Sequence, residues 1–87
     1  MTNESLIKFP CEFPIKIMGK DTPNFRSKMH KILEKHVGPI NEESIKVNVS
    51  NNANFVAITI TITAHSQHQL DQIYYDITSY DDVLIAL

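Results

Sequence analysis

Residues 56–64 alternate without interruption: Val56, Ile58, Ile60, Ile62 and Ala64 fall on one side, Ala57, Thr59, Thr61 and Thr63 on the other. A period of two belongs to an extended strand, whereas a helix would scatter the same residues around its circumference. One side is aliphatic and the other is a threonine ladder. The strand therefore belongs to a sheet covered on one face only.

The remaining segments take their roles around that strand. Phe13, Ile15 and Ile17 alternate with Pro14, Lys16 and Met18, which predicts a first strand. Proline cannot donate to a ladder, so regular pairing is expected from Pro14 onward, with Gly19 making the turn. Asp21-Thr22-Pro23 reads as a helix start, with Thr22 as N-cap and Pro23 at the first helical position. Phe25, Met29, Ile32, Leu33 and His36 form its apolar stripe, and Gly38-Pro39 ends it. On this reading His36 packs at the core edge and His30 is exposed.

Ile45-Lys46-Val47-Asn48-Val49 is a second alternating strand, and Ser50-Asn51-Asn52-Ala53-Asn54 reads as a hairpin loop. Ser66-Gln67-His68-Gln69 has capping-box spacing, followed by the stripe Leu70, Ile73, Tyr74 and Ile77. Asp81-Asp82 makes a polar turn, and a last strand runs over 83–87. The order is β-α-β-β-α-β. Right-handed crossovers then give an α+β, ferredoxin-like sandwich: a four-stranded antiparallel sheet, order 4-1-3-2, with two helices on one face. Residues 1–8 are expected to be a flexible tail, and 9–87 a single domain.

Composition limits what such a domain does. The 87 residues hold one cysteine, two glycines and a net charge of −2. A lone Cys11 excludes an internal disulfide and any paired-cysteine zinc or redox motif. Two separated glycines exclude a glycine-rich phosphate loop. The acidic balance and an open face of threonines, without an aromatic anchor, argue against nucleic acid as a partner. The longest apolar run, 83–87, is far short of a membrane span, and residues 1–5 do not read as a signal peptide. A cytoplasmic protein with no membrane partner is expected.

No catalytic constellation emerges. His65 and His68 lack further ligands nearby in sequence, so they read as solvated residues and no metal or cofactor is expected. Asp81-Asp82 and Glu42-Glu43 read as solvated turns, and Cys11 as an inert thiol. The one basic concentration is Arg26, Lys28, Lys31 and Lys35 on the first helix.

Phe9-Pro10-x-x-Phe13-x-x-Lys16-x-Met18-Gly19, with the long Ile58-Thr59-Ile60-Thr61 strand, resembles the YbeD-like family of small bacterial proteins over nearly the whole chain. The resemblance implies an ACT-like domain, a non-enzymatic regulatory role and a link to lipoate metabolism. ACT modules hold amino acids near an Asp-x-Pro-Gly turn. Here Asp21-Thr22-Pro23-Asn24 keeps the Asp and Pro and replaces the glycine.

The expected function is regulation through a protein partner. The alternatives are an amino-acid-like sensor at the first strand–helix turn and an unrecognised enzyme. Gly19, Lys20, Asp21, Asn24, Arg26 and Lys28 are the expected binding surface, since a helix N-terminus and a basic cluster both favour an anionic group. The outer strands, the second and the fourth, leave edges through which a weak homodimer is expected, slightly favouring the fourth because it carries no lysine or proline.

Overall fold

In the computed structural model the alternating segment is β3 (Phe55–Ala64), paired over its full length with β1 (Cys11–Lys20). Residues 8–50 and 54–87 are described. Residues 1–7 of the expected tail and 51–53 of the expected hairpin loop lie outside the described residues. The other elements are α1 (Phe25–Val37), a 3-10 turn (Glu42–Ser44), β2 (Ile45–Val49), α2 (Gln67–Thr78) and β4 (Val83–Ala86). The sheet order is β2-β3-β1-β4, the expected ferredoxin-like arrangement.

The apolar face of the sheet lies under both helices. Ile15 and Ile17 of β1 and Val56, Ile58, Ile60, Ile62 and Ala64 of β3 are buried. Phe25, Met29 and Leu33 of α1 and Leu70, Ile73 and Ile77 of α2 close over them. Each aliphatic or aromatic side chain removed from water contributes about 1.5–3 kcal/mol, so this layer carries the stability of a small domain.

Four local expectations change. β1 starts at Cys11 rather than at Pro14, which lies opposite Thr61 inside the strand. Lys16 and Leu87 exchange both main-chain bonds (3.1 and 2.8 Å), so alternate residues 12, 14 and 16 turn their main chain toward the β4 side. β4 does not extend as far as Pro14. Its missing N–H therefore costs no ladder bond.

α1 starts at Phe25, two residues beyond the expected position, with Asn24 at the N-cap and no side-chain capping bond. The Thr22 hydroxyl is directed elsewhere: it donates to Asp82 Oδ2 at 3.3 Å. Asp82 is thus half-buried and tied to the first strand–helix turn, where a solvated turn residue was expected. His30 is half-buried rather than exposed, with Nε2 3.2 Å from Glu34 Oε2.

The start of α2 follows its sequence signal. Gln69 N–H donates to Ser66 Oγ (3.1 Å), and Gln69 Oε1 accepts from the His65 N–H (2.7 Å). Gln69 Nε2 also donates to the His36 carbonyl at 3.3 Å, joining the beginning of α2 to the end of α1.

The two outer strands are short and cover the same half of the sheet. β2 pairs with β3 between Val56 and Ile60, and β4 pairs with β1 between Ile17 and Gly19. The other half, residues 11–14 against 61–64, is a two-stranded ribbon.

Candidate functional site

The turn between β1 and α1 is held from three directions. Lys20 N–H donates to the Asp82 carbonyl (3.0 Å) and Asp21 N–H to the Asn54 carbonyl (3.1 Å). Phe25 N–H closes onto the Thr22 carbonyl (3.1 Å), and Thr22 reaches Asp82 through its side chain. Gly19 is where the close approach occurs: a Cβ there would lie 2.4 Å from the Asp82 carbonyl oxygen and 2.5 Å from the Phe25 ring. Only glycine fits.

Around this turn the structure gathers Gly19, Lys20, Asp21, Asn24 and Arg26. Arg26 makes a two-pronged contact with the Asp21 carboxylate, Nη2 to Oδ2 at 3.0 Å and Nε to Oδ1 at 3.2 Å. The pair is partly exposed, so its main effect is to orient both groups. Asn24 is exposed, and its carbonyl accepts the Lys28 N–H at 2.9 Å. Lys28 leans away from the turn, with Nζ 5.9 Å from the Tyr80 ring centre, and Tyr80 in turn tilts against Phe25. Lys35, further along α1, lies 3.2 Å from Asp76. Three of the four basic residues of α1 are therefore divided among an acid on the turn, an aromatic ring and an acid on α2, and the fourth, Lys31, is exposed.

The His36 side chain meets that same acid, Nε2 to Asp76 Oδ2 at 2.6 Å. The hydrogen bond from His36 and that from Lys35 hold the Asp76 carboxyl below the usual carboxylate range. His65 and His68 are exposed at the start of α2.

Phe55 is the residue the sequence reading missed. It shares the parity of Ala57 and Thr59, faces the open side opposite Lys20, and remains 40% exposed. Carrying the alternation one step back from Val56 would have found it. The open face is consequently more than a threonine ladder. Met18, Phe55 and Ile85 lie partly exposed at its four-stranded end, Met18 directly opposite Ile85, with Lys16, Lys20 and Lys46 exposed around them.

Two hollows share Phe55 as a wall. One, of about 340 Å³, is formed with Lys20, Asp21, Thr22 and Asn54. The other, of about 200 Å³, lies on the open face beside Met18, Asn48 and Ala57. An aromatic side chain standing between hollows, with charged groups around it, is a common anchor of protein interfaces.

Comparison with known proteins follows the same outline. Residues 4–87 match the family described as "Protein of unknown function (DUF493)". A UPF0250 protein of Paraburkholderia phymatum is 38% identical over 85 residues, covering 98% of this chain and 96% of that protein. One from Nitrosomonas europaea is 37% identical over 87 residues, covering both chains completely.

Among solved structures, protein HP0495 from H. pylori superposes with a TM-score of 0.67 at 20% identity, over 99% of this chain and 90% of that one. The ACT domain from GTP pyrophosphokinase of Chlorobium tepidum superposes with a TM-score of 0.70 at 14% identity, over 87% and 94%. These likenesses establish a shared fold. Among the described residues, no helix is long and apolar enough to cross a membrane.

Proposed function

The chain belongs to the DUF493, or UPF0250, family of small bacterial proteins, and from that premise we propose that it is a non-enzymatic regulatory domain that docks a protein partner in the cytoplasm. Its ACT-like fold is compatible with regulation. The observation that carries the reading is Phe55, a half-exposed aromatic on the open face beside the β1–α1 turn. Aromatic anchors contribute most where they enter a partner's pocket, and charged neighbours set orientation and encounter rate.

The docking surface runs from the turn (Gly19, Lys20, Asp21, Asn24 and Arg26, with Lys28 at its margin) to Phe55 and Met18. The link to lipoate metabolism concerns the process that the partner serves. The test is affinity capture from native lysate with wild type, Phe55→Ala, and the double variant Arg26→Glu with Lys28→Glu. A partner specific to wild type should be lost with Phe55→Ala and weakened by the charge reversal. Retention of the same partner by both variants overturns the reading.

The 340 Å³ hollow favours a second reading, a small amino-acid-like ligand held between Lys20, Asp21 and Phe55, since ligand sites begin near this size. A concentration-dependent rise in melting temperature against an amino-acid panel supports it, and a flat response across the panel removes it. We further propose weak pairing of two copies along β4, whose Leu84 and Ile85 are about half exposed. Sedimentation at high concentration distinguishes this from a strict monomer.

A further inference from the structure

Arg26 and Lys35 of α1 meet acids, but the lysines of the open face do not. Lys16, Lys20 and Lys46 are exposed, and none makes an ion pair with a described residue. The strand register sets their spacing. Lys46 and Lys16 flank Thr59 in one row across β2, β3 and β1. Neighbouring strands are about 4.8 Å apart, so the main chains of the two lysines stand about 9.6 Å apart. Leu87, which exchanges main-chain bonds with Lys16, extends this row onto β4 and is 66% exposed.

The next row, about 6.8 Å further along the strands, is Asn48, Ala57, Met18 and Ile85. Beyond it, Phe55 lies opposite Lys20. Ala57 is the low point of this patch. Its methyl sits between Asn48 and Met18 across the strands and between Phe55 and Thr59 along β3, and the hollow of about 200 Å³ opens beside it. Among the residues that the four strands place on this face, Glu12 is the one acid. It stands four residues from Lys16, about 13 Å along β1.

We propose that this end of the open face binds an acidic amphipathic helix of a partner protein. One apolar side chain of the helix fills the hollow beside Ala57, and carboxylates lie over the lysines. The proposal rests on the docking reading above and names the partner's chemistry. The middle of a sheet face offers side chains and no unpaired main-chain groups, so the occupant must satisfy its own main chain. A helix does so. One helical turn advances about 5.4 Å, close to the spacing of the rows, and flexible lysine stems span the difference. Acids one turn before and one turn after the apolar residue therefore reach Lys16 or Lys46 on one side and Lys20 on the other. A second copy is a poorer occupant, because two-fold packing of this face would bring the lysines of both copies together. A nucleic-acid strand is poorer too, since Phe55 is a single stacking platform.

The experiment selects peptides on wild type from a phage-displayed helical scaffold with one randomised face. Selected sequences should carry Asp or Glu one turn either side of an aliphatic or aromatic residue, and should shift the amide signals of Lys16, Met18, Phe55 and Ala57. They should bind roughly tenfold or more weakly to Lys16→Glu with Lys46→Glu, and added salt should weaken their binding to wild type. Ala57→Met, which fills the hollow, should weaken them similarly. A dispersed amide spectrum checks each fold, and Lys16→Gln with Lys46→Gln replaces the charge reversal if that variant does not fold. Selected peptides without acid enrichment, peptides that bind the lysine and Ala57→Met variants as well as wild type, or a library that yields no binder overturn the proposal. Binding to phosphatidylserine vesicles that the charge reversal abolishes, with no acidic peptide selected, overturns the choice of occupant in favour of a lipid surface. A lysate partner lost with Phe55→Ala but kept by the lysine and Ala57→Met variants overturns this inference and leaves the docking reading standing. Acidic peptides that behave as expected while the lysate partner survives Phe55→Ala overturn the Phe55-anchored reading alone.

Discussion

Pro14 and Thr61 lie directly opposite one another across β1 and β3, at a position where the two strands exchange no main-chain hydrogen bond. The pairing explains how a proline is accommodated within a ten-residue central strand. It also guards the β1 edge of the ribbon, which β4 does not cover. Natural sheets blunt edges in this way, and an unguarded edge invites another strand.

Replacing Pro14 with Thr restores a main-chain N–H there without disturbing any existing bond. Its stability by urea unfolding should stay within about 0.5 kcal/mol of wild type, as for other surface changes. Light scattering should show stronger concentration-dependent association than wild type. A large loss of stability would mean that the proline is fixing the strand itself.

Ile60 and Thr61 test the assignment of sheet faces. Ile60 is 1% exposed under the helices, whereas the Thr61 side chain faces the open side. Ile60→Asp should unfold the domain, because an unpaired buried carboxylate costs several kcal/mol against a small total. Thr61→Asp should remain folded by circular dichroism. Equal behaviour would displace the register by one residue.

The two glycines fail for different reasons when changed to alanine. At Gly19 the added methyl meets the Asp82 carbonyl and the Phe25 ring, and crowding of this kind costs about 1–3 kcal/mol. At Gly38 there is open space, but the backbone sits at φ 82° and ψ −165°, a region that costs other residues about 1–3 kcal/mol. Gly19→Ala should therefore also perturb Phe25 and Tyr80 in the amide and ring spectra. Gly38→Ala should leave those signals in place while lowering the unfolding midpoint.

Asp76 links the helices through His36 and Lys35, and its carboxyl is held below the ordinary range by those hydrogen bonds. A folded-state value below the unfolded one, about 3.9, gives stability that is fully present above that pH. It is lost as pH falls through the depressed folded value. Wild type should thus exceed Asp76→Asn in stability at pH 5, with the difference shrinking steadily below about pH 4. A pH-independent difference would mean that the carboxylate charge plays no part in joining α1 to α2.

The order of elements, the two apolar helix stripes and the face of each strand were legible from local pattern, because periodicities of 2 and 3.6 are properties of the chain's own geometry. The run from Val56 to Ala64 and the stripe Leu70, Ile73 and Ile77 determined the core before any contact was known. Right-handed crossovers then left one favoured sheet order. Where the elements begin was decided by contacts distant in sequence. The Thr22 hydroxyl binds Asp82, sixty residues away, instead of capping α1.

The site shows the same division. Lys20, Asp21 and Arg26 could be placed together from sequence, since a turn and one helical turn bring them near. Their neutralisation as an Asp21–Arg26 pair, the withdrawal of Lys28 to Tyr80 and the exposure of Phe55 depend on side-chain packing between separate elements. Which main-chain groups of β3 and of β1 stay unpaired depends on where β2 and β4, respectively, stop. Strand length and register are settled when all four strands pack under two helices, and no local pattern encodes where the neighbouring strand ends.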